Sequence, residues 1–166
     1  MKAIDPMLME FEQESKTTRR LLERVPTEKL GWRPHPKARS LGELANHIAV
    51  SQRRVPAAIQ TATYDLGSGA DDAVPASAEE IVAAFDANVA EARRLLGAMS
   101  DEDVMSNWDG QVKGRTVFSA PKAAVVRAIL LSHTIHHRGQ LSTYLRQLDV
   151  ALPSVYGSTA DEDPFA

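Results

Sequence analysis

The chain has 166 residues, of which 43% are hydrophobic, enough for one well-buried core but not for two comfortable domains. Its formal net charge is −3 at pH 7, and its basic residues are interleaved with acidic ones, which argues against nucleic-acid binding. It contains no cysteine, which excludes disulfides, a thiolate nucleophile and cysteine-ligated metal sites. We expect a single domain over residues 1–166 whose chemistry comes from histidine, carboxylate or hydroxyl groups.

The N-terminal stretch MKAIDPMLMEFEQES has no uninterrupted apolar segment of the kind found in signal peptides. No other segment approaches the roughly 18 apolar residues of a membrane span. We therefore expect a cytoplasmic protein that acts on a small-molecule substrate, without membrane or nucleic-acid partners.

A first helix is predicted in AIDPMLMEFEQESKTTRRLLERVP, where Asp5 can cap the helix, Pro6 takes its first position and Pro26 ends it. The following TEKLGWRPHPKAR is predicted to be an extended connection because its prolines disfavour helix. The predicted buried stripe of this helix consists of Leu8, Phe11, Thr18, Leu22 and Val25.

Two further helices are predicted from capping boxes, SLGE at Ser40 and SAEE at Ser77. Pro56 is expected to kink the second helix or end its first part, and Gly97 is expected to stop the third. The stretch TYDLGSGADDAVPA between them is predicted to be a polar linker. The predicted buried positions are Leu41, Leu44, Ala45 and Ile48 on the second helix and Ile81, Phe85, Val89 and Ala92 on the third.

In SDEDVMSNWDGQVKGRTVFSA, the pair Asp109-Gly110 indicates a turn and TVF a short strand, so a small hairpin is expected there. A fourth helix is predicted from about Pro121 to Leu148, and the tail DVALPSVYGSTADEDPFA is predicted to be irregular. Four long helices with apolar stripes favour an all-α four-helix bundle with long inter-helix connections.

Three of the five histidines lie in HTIHHRGQ on the fourth helix. At about 100° per residue, the buried face centres roughly 30° from His133, with His137 at about 40° and His136 at its edge, near −60°. His133 and His137 are thus an inward-facing i, i+4 pair, and two buried imidazoles without a partner are costly. A divalent metal resolves this, because the i, i+4 spacing lets both rings reach one ion.

The predicted third ligand is His47 on the second helix, whereas His35, between two prolines, is expected to stabilise its loop. Three imidazoles leave a fourth position open for water, as in catalytic sites. All-imidazole ligation suits Zn, Ni, Fe or Cu better than Mg or Ca, and zinc is the first expectation because it accepts tetrahedral geometry without redox chemistry.

Other polar and aromatic residues have open alternatives. Glu43 is a ligand or acceptor near His47, or simply part of its capping box, which we favour. Gln140, placed on the buried face, either hydrogen-bonds a ligand ring or bound water or ties the helix to a neighbour. Arg138 is expected on the solvated side, and Trp32 and Trp108 are expected to be core or loop anchors.

The segments HTIHHRGQLSTYLRQLDVALPSVYG and WRPHPKARSLGELANHIA are similar to the DinB-like (YfiT-like) family of metal-dependent enzymes. The resemblance implies a four-helix bundle with up-down-down-up topology and a divalent metal held by one histidine of the second helix and two of the last. By motif, His47 matches the first, and His133 and His137 match the H-x3-H pair. Arg138 and Gln140 match the HRGQ that ends this motif, without an assigned role.

Relatives implied by this resemblance include transferases and isomerases that use bacillithiol, mycothiol or glutathione, and hydrolase-like proteins. Two functions therefore compete: an enzyme that activates a water or an external low-molecular-weight thiol, and a non-catalytic metal-binding stress or damage-response protein. We favour the enzyme because of the open ligand position.

A homodimer is also expected, since the outer side of the fourth helix carries apolar residues that a two-fold interface would cover. These residues are Ala124, Ala128, Leu131 and Ile135. The alternative is that the tail covers them with Leu152, Val155 and Tyr156.

Overall fold

The computed structural model describes residues 1–67 and 73–165. Its helices are α1 (Asp5–Leu22), α2 (Leu41–Ala58), α3 (Ala78–Ala98), α4 (Asp101–Met105), α5 (Lys122–Val125) and α6 (His133–Gln147). Its strands are β1 (Thr63–Asp65), β2 (Asn107–Val112) and β3 (Arg115–Pro121). A 3-10 turn covers Thr27–Lys29, and a π-helical segment, Val126–Ser132, joins α5 to α6. Residues 122–147 thus form one helical run, which we call the last helix.

The long helices surround one hydrophobic core. Helix α2 packs against α3 and the last helix, and α1 packs against the same two elements. Side chains from every long helix are fully buried there, among them Phe11, Leu44, Phe85 and Leu141. None of the helices in the described ranges is both long and apolar enough to cross a membrane.

The three strands correct the all-α expectation, because the protein is mostly helical but also has a small sheet of order β1-β2-β3. Strand β1 runs parallel to β2, and β3 is antiparallel to β2. The linker predicted over residues 63–76 therefore begins with a strand. Residues 68–72 of that predicted linker lie outside the described residues.

The predicted hairpin is present, but its turn is not at Asp109-Gly110. Those two residues lie inside β2, next to an irregularity in strand pairing between Gly110 and Gln111. The chain reverses instead at Lys113 and Gly114, whose φ angles are 50° and 75°. Two consecutive positive φ angles are typical of the tight turns that match the twist of a hairpin.

The predicted caps are only partly correct. Ser40 and Glu43 form the predicted capping box. Ser77 accepts from the Glu80 N–H, but the Glu80 carboxylate accepts from the Ala76 N–H, so this second box is not closed. Asp5 is not the cap of α1: the cap position is Ile4, and the Asp5 carboxylate accepts from the Lys2 N–H.

The predicted stops also differ in detail. Helix α1 ends at Leu22, before Pro26, while α2 passes Pro56 and ends at Ala58. Helix α3 passes Gly97 and ends at Ala98.

The last helix is buried on two sides, which corrects the prediction for Arg138. Arg138 is only 2% exposed and forms an ion pair with Glu14 of α1 at 2.6 Å. The apolar pattern of the sequence indicates one buried stripe, but α1 covers a second side of this helix. For the same reason Leu131, expected on the outer side, is buried within the single chain, whereas Ala124 and Ala128 are exposed.

Candidate metal centre

Three histidine side chains converge between α2 and the last helix. The Nε2 atom of His133 lies 3.3 Å from that of His47 and 3.0 Å from that of His137. One ring nitrogen from each lies within 4.8 Å of the others, and all three residues are half-buried. The structure thus brings together the three histidines that the sequence predicted.

Neighbouring buried contacts fix the helices that carry these rings. The amide of Gln52 on α2 donates to the Thr134 hydroxyl of α6 at 3.1 Å, and both residues are buried. The same amide donates to the Ile48 carbonyl at 2.8 Å. A buried polar group costs free energy unless it is hydrogen-bonded, so this link favours one alignment of α2 against α6.

A hydrogen bond to Gln140 sets the protonation of His137. The Gln140 Oε1 atom accepts from Nδ1 of His137 at 2.7 Å. With the proton on Nδ1, the neutral ring has its lone pair on Nε2, the atom that faces His133. Gln140 itself is exposed, which corrects its placement on the buried face, although its contact with a candidate ligand ring was one of the two predicted roles.

The pKa values of the two converging histidines of α6, His133 and His137, are lowered. Burial is the main cause that lowers the pKa of His133 from 6.5 to about 4, and the positive charges of His137, His136 and Arg39 contribute to the same shift. Burial also lowers the pKa of His137, although the hydrogen bond to Gln140 opposes this. Neutral imidazole is the form that binds a metal, so these rings are available as ligands at neutral pH.

The donor set fits a tetrahedral divalent ion. Zinc–nitrogen bonds of about 2.0–2.1 Å at tetrahedral angles place two ligand nitrogens about 3.3 Å apart. The observed separations of 3.3 Å and 3.0 Å are close to that value. The other ring nitrogen of His133, Nδ1, is buried and has no hydrogen-bond partner among the described residues.

The remaining histidines and Glu43 lie outside this group. His35 is exposed, and its Nδ1 accepts from the Lys37 N–H at 3.1 Å, in agreement with the predicted loop role. His136 is exposed, with its ring 4.9 Å from that of His137. The Glu43 carboxylate closes the capping box and pairs with Arg33, whose hydrogen bond lowers the pKa of Glu43. The structural interpretation of Glu43 therefore agrees with its contacts.

Two cavities reach the histidines, and sequence reasoning predicted neither. The first, of about 600 Å³, is the basic cavity; its polar lining includes Arg33, Lys37, Arg39, Glu43, His47 and Arg54. The second, of about 300 Å³, is the apolar cavity; it is lined by His47 and His133 and mainly by apolar residues, among them Val55, Ile59, Tyr64, Trp108, Val125 and Ile129. The four-residue spacing of Val125, Ile129 and His133 is visible in the sequence, but by itself it indicates only that these residues share a buried helix face. That this face lines a cavity depends on how α2 packs against it.

Comparison with known protein families identifies the family of the chain. A model of the DinB superfamily matches residues 10–141, which include all three converging histidines. The chain belongs to the DinB superfamily. This agrees with the resemblance seen in the sequence motifs.

Individual relatives of this DinB-superfamily chain match it over most of its length. YrdA of Bacillus subtilis (strain 168), an uncharacterized protein, is 27% identical over 167 residues, covering 97% of this chain and 92% of YrdA. The crystal structure of a DinB-like protein from Bacillus cereus ATCC 10987 has a TM-score of 0.74 at 25% identity, covering 92% of this chain and 97% of that one. The DinB-like protein YjoA of Bacillus subtilis has a TM-score of 0.73 at 17% identity, covering 91% and 98%. These similarities support the fold and leave the reaction to be argued from the site.

Proposed function

We propose that this chain is a metal-dependent enzyme in which His47, His133 and His137 hold a divalent ion. Zinc is the first choice, with nickel or iron as alternatives, because imidazole nitrogens suit these metals. A divalent ion bound there supplies Lewis acidity, which lowers the pKa of a water or low-molecular-weight thiol and makes it a nucleophile. The reaction class is hydrolysis or thiol S-transfer to a small electrophilic substrate.

The observation that carries this proposal is the convergence of three imidazoles beside two cavities. A purely structural site is normally closed by a fourth protein ligand, whereas a catalytic one keeps a position open. Among the described residues, the group contains three candidate ligands and no fourth histidine or carboxylate. Cavities at such a group give a substrate access to it.

The chain's own residues have defined tasks in this proposal. Gln140 holds the proton of His137 on Nδ1, so that Nε2 faces the site. Burial keeps His133 unprotonated at neutral pH. The positive side chains of the basic cavity favour anionic groups of a cosubstrate. Because the chain has no cysteine, any thiol nucleophile must be supplied by such a cosubstrate.

Metal binding is tested with single-histidine variants. The untagged chain, reconstituted with zinc and dialysed, should hold about one equivalent by mass spectrometry, and His47→Ala, His133→Ala and His137→Ala should each lose most of it. The matched control is His136→Ala, which removes an exposed histidine of the same helix and should leave the stoichiometry unchanged. Equal zinc contents in all five proteins would contradict the proposal.

Catalysis is tested separately on the zinc-loaded chain. Transfer of glutathione, bacillithiol or mycothiol to model electrophiles is screened together with esterase and amidase activity. Turnover that disappears in His133→Ala and persists in His136→Ala would support the enzyme. Stoichiometric metal with no turnover in any assay would favour the non-catalytic stress-response alternative.

Three further expectations belong with this proposal. They are the up-down-down-up order of the four-helix bundle, a homodimer and a cytoplasmic location. The pairwise packing of α1, α2, α3 and the last helix supports the bundle.

A further inference from the structure

The apolar cavity follows one face of each of two helices. On α2 and just beyond it, the lining residues His47, Ser51, Val55 and Ile59 recur every four residues. On the last helix, Val125, Ile129 and His133 have the same spacing. Residues four apart on a helix share a face, so the cavity runs lengthwise between these two helices.

The two ends of this cavity differ in chemistry. His47 and His133 meet at one end, with their Nε2 atoms 3.3 Å apart. The other end of the cavity lies where α2 ends and the last helix begins. There Ala58, the last residue of α2, accepts a hydrogen bond from Trp108, and Lys122, the first residue of the last helix, donates to the carbonyl of the nearby Ser106. The two helices therefore run in opposite directions along the cavity. The cavity therefore has a polar end at the candidate metal centre and an apolar end beside the sheet.

Trp108 closes the apolar end with a fixed hydrocarbon surface. Its indole N–H donates to the Ala58 carbonyl at 3.1 Å, and the residue is only 2% exposed. Its one polar group is thus already used, and the rest of the ring is available for apolar contact. Gly110 allows close packing here, since a Cβ at that position would lie 3.1 Å from both Leu66 and Trp108 side-chain atoms.

We propose that the apolar cavity takes an uncharged aliphatic or aromatic group of the substrate and places the adjoining reactive group against His47 and His133. The reaction part of this inference rests on the proposed function, whereas the binding part does not. Trp108, Val55 and Ile129 then determine which substrates fit.

The size and charge of the cavity support this class of group. A cavity of about 150 Å³ is enough to bind benzene, so the 300 Å³ here accommodates a benzyl group or a short alkyl chain. Its lining within the described residues includes no carboxylate, and its one permanently charged residue is Arg54. A charged group at the apolar end would be buried without a partner, which costs far more than burying a methylene gains.

The test uses the full-length chain, first without metal, in a Trp32→Phe background. The chain has two tryptophans, so Trp108 then reports alone by fluorescence. Propanol, butanol, pentanol and hexanol are titrated, with aminohexanol as the charged analogue. Affinity should rise about fourfold for each added methylene, and aminohexanol should bind at least about tenfold more weakly than hexanol.

Two variants fill the cavity, and one is a matched control. Val55→Phe and Ile129→Phe should each weaken hexanol binding by at least about tenfold. Val50→Phe places the same extra volume on α2 but in the basic cavity, and should leave hexanol binding unchanged. Far-UV circular dichroism confirms that each variant folds. If the filled variants do not fold, the comparison of the alcohols with one another and with aminohexanol on the Trp32→Phe chain still tests the proposal.

The outcomes separate this inference from the proposed function. Equal affinities for propanol and hexanol, or for hexanol and aminohexanol, would overturn it even if the chain takes up zinc normally. Failure to bind zinc would count against the proposed function alone, because the alcohols are titrated into the metal-free chain. Repeating the series with zinc bound then shows whether the cavity is retained in the loaded protein.

Discussion

Gln140 accepts a hydrogen bond from Nδ1 of His137 at 2.7 Å and so orients the ring whose other nitrogen faces His133. Partners that orient a ligand in this way typically account for a 10–100-fold difference in metal affinity. We expect Gln140→Ala to weaken zinc binding by about that factor, measured by competition with a chromophoric chelator. Gln140→Glu keeps an acceptor and should retain most of the affinity.

The control for this prediction is Gln147→Ala, which removes another exposed glutamine of the same helix. Since Gln140 is exposed, its loss should change the free energy of unfolding of the metal-free chain by less than about 0.5 kcal/mol. Equal zinc affinities for Gln140→Ala and Gln147→Ala would show that the hydrogen bond has no role in metal binding.

The lowered pKa of His133 predicts a loss of stability in acid. In the unfolded chain this ring takes up a proton as the pH falls through about 6.5, but in the folded chain only near pH 4. Between these values the unfolded state binds more protons, so the free energy of unfolding decreases as the pH falls. Urea unfolding of the metal-free chain between pH 7.5 and 4.5 should show this decrease.

The variant His133→Gln removes this titrating group and should flatten the dependence on pH. Thr143→Ala, a non-titrating and exposed position of the same helix, should retain the wild-type slope. All samples contain chelator, because a bound metal would compete with protons for the histidine nitrogens. A wild-type slope in His133→Gln would show that this histidine does not cause the acid sensitivity.

Arg138 and Glu14 form a buried ion pair that joins the last helix to α1. Their side chains are 2% and 9% exposed, and the Tyr156 hydroxyl of the tail also donates to Glu14 at 2.8 Å. Removing one member leaves the other charge buried without its partner, at a cost of about 3–5 kcal/mol. We expect Arg138→Met to lower the free energy of unfolding by that amount, measured by urea denaturation.

Replacing both members should recover much of this loss, because an apolar pair of similar volume avoids burying charge. The comparison is therefore between Arg138→Met and the double variant with Glu14→Met. Arg146→Met breaks the exposed pair with Asp161 and should cost at most about 1 kcal/mol. If Arg138→Met were no more destabilising than Arg146→Met, the buried pair would not contribute to stability.

The candidate centre was predictable because local rules specify it. The capping box at Ser40 sets where α2 begins, and the i, i+4 spacing places His133 and His137 on one face of their helix. The choice of His47 over His35 followed from the prolines around His35. None of these steps needs knowledge of how distant segments pack.

The features that sequence reasoning missed depend on distant contacts. Arg138 was placed in solvent because a single helical wheel does not show that α1 covers a second side of the last helix. The π-helical segment before His133 was also missed, because nothing in the local sequence predicts it. At its end, the Ser132 hydroxyl donates to the Arg127 carbonyl five residues earlier. Strand β1 is only three residues long and exists because β2, more than forty residues later, pairs with it.

The predicted homodimer needs a surface other than the one first expected. Leu131 of the outer stripe is buried within the single chain, and Tyr156 of the tail lies against Arg138. Exposed apolar side chains occur instead on the hairpin, where Val117 is 60% and Phe118 39% exposed. Both are on β3, an edge of the described sheet, and exposed apolar edge strands favour association. We therefore expect the homodimer to form through this hairpin surface.

Light scattering after size exclusion at micromolar concentration tests this expectation, with and without chelator. The wild-type particle should have twice the 18.1 kDa chain mass under both conditions, because the hairpin surface does not include the three histidines. Phe118→Arg should reduce it to the mass of one chain, since an arginine in an apolar interface would be buried without a partner. Ala128→Arg, on the outer side of the last helix, should leave the dimer intact. A wild-type mass near 18.1 kDa would show that the chain is a monomer, and dissociation by Ala128→Arg but not by Phe118→Arg would place the interface on the last helix.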